Sequence, residues 1–176
     1  MATAKLRSDW KIEMEKLKPL SEVCQPDIRY RGRVDLDTTT GTVSETTIES
    51  LYSAIEPLVL NENVPDEVQN HFETAKNLAL YAWFVYSFNV VAAMQGFASL
   101  EMSVRMKLND NKTPFKHLID QAFQNRKLSS GLGPPIDLSV VLSRMRNDLA
   151  HGSTTMHGQG IAALQTCAEL INELFL

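Results

Sequence analysis

Residues 143–152 read SRMRNDLAHG. Four side chains in this stretch could do chemistry together. Arg144 and Arg146 each offer a planar fork of donors that matches a phosphate. His151 is of the residue type that can take a proton from, or return one to, an oxygen. Asn147 can orient the imidazole or donate to a phosphate oxygen. Together these types suit work on a phosphodiester. They also suit a plain helix end, where Arg, Asn and Asp are ordinary surface residues and His–Gly is an ordinary cap.

Helical spacing separates the members of the group. On a wheel started at Leu138, the apolar Leu138, Val141, Leu142, Met145 and Leu149 fall within about 60 degrees of zero. Arg144, Asn147 and His151 gather on the polar side, and Arg146 sits on the flank, about 140 degrees from His151. The wheel therefore pairs Arg144 with His151. Arg146 can join them only where the helix ends or where a second copy of the chain meets this surface.

The elements that must hold this stretch are helical. Leu78–Leu100 is a 23-residue run with no Asp, Glu, Lys or Arg. It predicts one long apolar helix from about Phe72 to Leu108, some 55 Å at the usual rise. Such a helix needs cover on nearly all sides, from lipid or from other helices. The rest of the chain supplies amphipathic helices, so the reading is a soluble bundle. A short helix is expected over residues 5–18, with Leu6, Trp10, Met14 and Leu17 inward and Pro19 as its stop. The alternation of Val34 and Leu36 with Asp35 and Asp37 fits either a small hairpin within residues 28–43 or an ordered loop with no sheet. Ser44 or Thr46 is expected to cap a helix running towards Leu60, disturbed at Pro57. Pro65–Asp66–Glu67 opens a helix that itself, or followed by a second one after a bend, becomes the long helix, and Asn109–Asp110–Asn111 ends it. Thr113 caps a helix that starts at Pro114 and buries Phe115, Leu118, Ile119, Ala122 and Phe123. The connector 129–135 breaks the chain. Asp137 opens the helix that carries the candidate site. After the loop 151–160, a last helix from about Ile161 places Leu164, Cys167, Ala168 and Ile171 inward, with Leu174 or Phe175. The expected fold is all-α, a bundle of four principal helices with a long central apolar helix. An N-terminal extension spans 1–44 and the bundle spans 45–176.

The 176 residues are 44% hydrophobic and 22% charged, with net charge −4. This composition suits one domain with a sizeable core. It offers no global attraction to nucleic acid, so RNA would need a local basic patch. Arg105, Lys107, Arg126, Lys127, Arg144 and Arg146 are the candidates, and a solvated face explains them equally well. Glu101 and Arg105 lie four apart, either as a helix-stabilising ion pair or as a pocket border in which Glu101 positions a site arginine or histidine. Cys24 and Cys167 have no metal or redox spacing. His151 and His157 with Asp148 lack a strong metal-ligand pattern, so no metal and no cofactor is expected. His157 could serve as a second histidine near the site. His71 and His117 read as ordinary helix residues. Ser153 and Thr154 could donate to a phosphate but are common in any loop. Tyr81, Trp83, Phe84, Tyr86 and Phe88 read as core and dimer interface. The N-terminus has no continuous apolar region of the signal-peptide kind, and a reduced, cytoplasmic setting is expected, with no membrane span.

Arg146–Asn147–Asp148–Leu149–Ala150–His151, on the penultimate helix of such a bundle, resembles the signature of the HEPN superfamily. That signature is an arginine, four to six residues, then a histidine, most often with a polar residue directly after the arginine. Arg144 to His151 also fits, with six intervening residues. The resemblance favours Arg146, because Asn147 follows it, where the wheel favours Arg144. It covers residues 45–176, including the SLEMSVRMKL stretch, and leaves 1–44 unexplained. It implies a ribonuclease-like member, a homodimer whose arginines and histidines form a composite site that cuts RNA without metal through a 2′,3′-cyclic phosphate. Arg146, His151 and Asn147 would be its catalytic residues, and Arg144, Arg105 and Glu101 would bind substrate. The roles implied are those of a toxin or defence component, with a protein antitoxin as partner. Other members of the superfamily are non-catalytic dimerisation or nucleotide-binding modules, paired in some cases with a nucleotidyltransferase-like partner.

Overall fold

The computed structural model describes residues 16–125, 128, 138–151 and 160–176. The connector 129–135, the loop containing Ser153, Thr154 and His157, and the residues Arg126, Lys127 and Asp137 lie outside these. So does the helix expected over 5–18, except for its last three residues, which are not helical.

Among the described residues the fold is mostly helical with one small sheet. Strands β1 (Val34–Leu36) and β2 (Val43–Glu45) form an antiparallel hairpin, with Leu36 opposite Val43. The helices are α1 (Ile48–Ile55), α2 (Asp66–Tyr81), α3 (Phe88–Leu108), α4 (Phe115–Gln124), α5 (Leu138–Ala150) and α6 (Gly160–Leu174). Helix α3 packs on α2, α4, α5 and α6, and α2 also meets α1 and α6. Phe72, Phe97, Leu100, Leu118, Ile119, Leu142, Leu149, Leu164 and Ile171 are fully buried between them. No helix among the described residues is long and apolar enough to cross a membrane.

Close approach of α3 and α6 depends on two glycines. A Cβ at Gly96 would stand 2.6 Å from Leu164 Cδ2, and one at Gly160 would stand 2.8 Å from the Asn89 carbonyl oxygen. Both distances lie inside van der Waals contact, so only glycine fits without movement.

The single helix expected from Phe72 to Leu108 is two helices. The chain leaves α2 after Tyr81 and re-enters helix at Phe88. Aromatic and β-branched residues crowd this break, and they gain little from helix. The freed backbone groups find partners in the N-terminal segment. Asp27 donates its N–H to the Trp83 carbonyl at 2.8 Å, and its carboxylate accepts from the Tyr86 N–H at 3.4 Å. Buried Tyr30 packs its ring against Trp83 and Tyr86, and its hydroxyl accepts from Asn89 Nδ2 at 3.0 Å. Burial alone would raise the Asp27 carboxyl, but the Arg29 ion pair and the two backbone donors outweigh it and hold the group below the usual carboxylate range. The aromatics expected as core and dimer interface line this turn. Trp83, Phe84, Tyr86 and Phe88 are half-buried and Tyr81 is exposed.

Smaller differences have local causes. Thr47, not Ser44 or Thr46, caps α1, in a reciprocal pair with Ser50, and the helix ends two residues before Pro57. Thr113 gives its hydroxyl to Asp110, so Pro114 stands at the cap position of α4. Asn109 ends α3 in the left-handed region at φ 52°, which asparagine tolerates.

Candidate functional site

Helix α5 carries the site, and its rotation decides what the site can do. Val140 and Val141 are exposed, while Ser139, Leu142, Ser143 and Leu149 are buried. The inward face is therefore turned from the one the apolar pattern suggests, by about 80 degrees, and is centred near Arg146. Val141 was expected inside and is not. The Leu138 side chain lies outside the described residues. Arg144, Asn147, Asp148 and His151 face water on the opposite side.

Arg146 is held by α3. Its Nη2 donates to Glu101 Oε2 at 3.3 Å, and its Nη1 reaches Asn147 Oδ1 at 3.4 Å. Its side chain remains 43% exposed, whereas Glu101 is only 17% exposed. Glu101 spends its other oxygen on Arg105. Oε1 accepts from Arg105 Nη2 at 2.6 Å and from Nε at 3.2 Å. One carboxylate thus sits between two guanidinium groups, leaving the cluster with net positive charge. Glu101 therefore makes the expected helix pair with Arg105 and also contacts Arg146 from α5.

The cluster is tied to the loop after α3. Arg105 Nη1 donates to the Asp110 carbonyl at 3.3 Å. Asp110 organises that loop, its carboxylate accepting from the Lys112 and Thr113 N–H groups and the Thr113 hydroxyl. The Thr113 hydroxyl, then the Thr113 and Lys112 amides, hold its carboxyl down to about 2. A shallow depression of about 360 Å³ opens beside the cluster, lined by Ala98, Glu101, Met102, Arg105, Met106 and Asn111. Asp110 and Asn111 were read in the sequence only as a helix stop. The Asp110–Thr113 spacing of an Asx turn was the signal for their ordered loop.

His151 continues the helical path, since its N–H donates to the Asn147 carbonyl at 2.9 Å. Its side chain is exposed and has no hydrogen-bond partner among the described residues. Arg144 is 82% exposed and lies 3.8 Å from Asp148. The structure therefore gathers Arg146, Glu101 and Arg105 on one side of α5. Arg144, Asn147 and His151 share the other, as the wheel proposed. On an ideal helix Arg146 and His151 stand about 140 degrees apart, and Arg146 reaches round to Asn147 between them.

Among the described residues, His71, His117 and Lys107 have neighbours away from α5. His71 Nδ1 lies 2.8 Å from Ser99 Oγ and its Nε2 lies 3.1 Å from Gln95 Nε2. His117 sits 3.9 Å from Asp120. Lys107 lies over the Phe175 ring at 4.9 Å. Cys167 is buried, which pushes its thiol far up, and Cys24 is exposed. Among the described residues no three His, Cys, Asp or Glu side chains gather as a metal site.

Comparisons with protein-family models, with curated proteins and with solved structures return no match.

Proposed function

We propose that this chain is a metal-independent endoribonuclease of the HEPN kind, acting in the cytoplasm as a homodimer. The observation that carries this reading is the division of the motif at the end of α5. Arg146 is fixed but half-open beside Glu101, and His151 is exposed on another side of the helix, with no hydrogen-bond partner among the described residues. A second copy related by a two-fold axis supplies the missing half of each site. Support for such a copy comes from α3, whose open face carries exposed Val91, Met94 and Met106 in line with Glu101 and Arg105.

In this reading His151 of one protomer takes the proton from a ribose 2′-hydroxyl. The oxygen attacks the adjacent phosphorus, and Arg146 of the partner copy stabilises the charge that develops on the phosphoryl oxygens. The bond to the 5′-oxygen breaks, that oxygen regains a proton from the imidazolium, and a 2′,3′-cyclic phosphate remains. Asn147 orients the imidazole. Arg105 and Arg144 draw in the backbone, and Glu101 sets the angle of Arg146. Such an activity suits a toxin or defence role with a protein antitoxin. RNA cleavage in EDTA tests it, with products ending in a cyclic phosphate and with His151→Ala and Arg146→Ala both inactive. Cleavage that survives His151→Ala, or none by the wild type, removes the reading.

A second reading rests on the Arg146–Glu101 pair itself, because a guanidinium already satisfied by a carboxylate needs no RNA to explain it. The chain would then be a non-catalytic helical dimerisation or nucleotide-binding module, alone or with a nucleotidyltransferase-like partner. Stable nucleotide or partner binding without cleavage distinguishes it.

A further inference from the structure

The hairpin before α1 is amphipathic in the unexpected sense. Asp35 faces the protein, where its carboxylate accepts from Ser50 Oγ at 2.9 Å. Val34, Leu36 and Val43 face outward and are 59%, 61% and 60% exposed. Two strands alone are marginal in water, and here the apolar face lacks cover among the described residues. The strand also has an open edge. Thr46 donates its N–H to the Arg33 carbonyl and Asp37 donates to the Thr42 carbonyl, which fixes the ladder with β2. By the alternation of an antiparallel pair, the N–H and C=O of Val34 and Leu36 then point away from β2.

Charge order decides what can pair with that edge. Residues 31–37 read RGRVDLD. Two arginines precede Val34 and two aspartates follow it. Laid antiparallel against itself with Val34 opposite Val34, the strand sets Arg33 against Asp35 and brings Arg31 towards Asp37. No like charges meet. Moving the centre to Asp35 sets that carboxylate against its own copy, and a parallel pairing lines up like with like. Charged edges usually discourage association; this order rejects most partners and accepts its own copy in one register. The type II turn at Tyr30–Arg33, with Gly32 at φ +73° and Arg33 N–H on the Tyr30 carbonyl, limits the ladder to a few residues.

We propose that the free edge of β1 pairs antiparallel with the same edge of a second copy, centred on Val34, to make a four-stranded sheet. The outward valines and leucines of both hairpins then form one continuous strip. This contact goes beyond the ribonuclease reading and does not depend on it. Together with a dimer at α5 it would give each chain two isologous contacts, which close into a tetramer or extend into a row.

Register-specific cross-linking of the full chain tests the contact. In a Cys24→Ser background, Val34→Cys and Leu36→Cys place thiols on the same face at nearly equal exposure. Opposed residues in a hydrogen-bonded antiparallel pair have Cα atoms about 5.5 Å apart, within disulfide reach. Leu36 is displaced from its own copy by four residues, about 13 Å. Mild oxidation is expected to give covalent dimer with Val34→Cys and roughly tenfold less with Leu36→Cys. Adding Arg31→Glu and Arg33→Glu to the Val34→Cys chain should remove the dimer while its circular dichroism is retained. Equal yields at the two positions, no dimer at position 34, or a yield indifferent to the arginine substitutions would overturn the proposal.

Discussion

Replacing Glu101 by Gln keeps the shape of the side chain and removes the charge shared by Arg105 and Arg146. The Arg105 half should cost more. Its side chain is 23% exposed against 17% for Glu101, and two of its donors fall on one carboxylate oxygen. Hydrogen bonds to a charged group in such a setting contribute about 1.5–3 kcal/mol, and the residual access of water favours the lower half of that range. The Arg146 contact is longer and more open, so screening limits it to about 0.5 kcal/mol. The sum is about 2–3 kcal/mol. At roughly 2–4 °C per kcal/mol for a domain of this size, the midpoint of thermal unfolding should fall by about 5–10 °C. Urea unfolding of wild type, Glu101→Gln, Arg146→Ala and the double variant forms the cycle that isolates the second pair. A midpoint shift below about 1 °C for Glu101→Gln would refute the view that this carboxylate anchors α5 and the 109–113 loop to α3.

Three further outcomes follow from the packing and titration. Gly160→Ala should destabilise by about 1–3 kcal/mol in denaturant unfolding, because the methyl group meets the Asn89 carbonyl, a backbone atom that cannot swing aside. Asp110 has a folded-state pKa of about 2, below its ordinary value, so its contribution is present above the unfolded pKa and is lost as pH falls through the folded one. Amide protection of Lys112 and Thr113 should therefore decline between about pH 4 and pH 2, and Asp110→Asn should abolish that dependence. Under native conditions a thiol reagent at pH 8 should modify Cys24 and spare Cys167 until the chain is unfolded.

Much of the helical layout was legible because apolar spacing reports burial directly. Leu164, Cys167, Ala168 and Ile171 were expected inward on α6 and all are buried, and of Leu174 and Phe175, left open, Leu174 is the buried one. The break at residues 82–87 was not legible in the uncharged run. The local aromatic and β-branched residues only weakly disfavour helix, and the partners that satisfy and cover the turn, Asp27 and Tyr30, are remote in sequence. Rotation of α5 was hidden for a similar reason. Two serines, Ser139 and Ser143, lie inward while two valines face out, and the pull of Glu101 on Arg146 is invisible on a one-helix wheel. For the candidate residues, the exposure of Arg144, Asn147 and His151 was legible from spacing. Whether Arg144 or Arg146 completes it is a question between chains, which a single helix cannot answer.

Complementation between inactive variants addresses the composite site most directly. Arg146→Ala and His151→Ala are each expected to be inactive on RNA in EDTA. Mixed in equal amounts after dissociation and reassembly, half of the dimers carry one of each, and each of these retains one intact arginine–histidine pair. Recovery to roughly a quarter of wild-type activity is the expected result for a site shared across a two-fold axis. A mixture that stays as inactive as its components, although wild-type protein treated in the same way recovers fully, would contradict it.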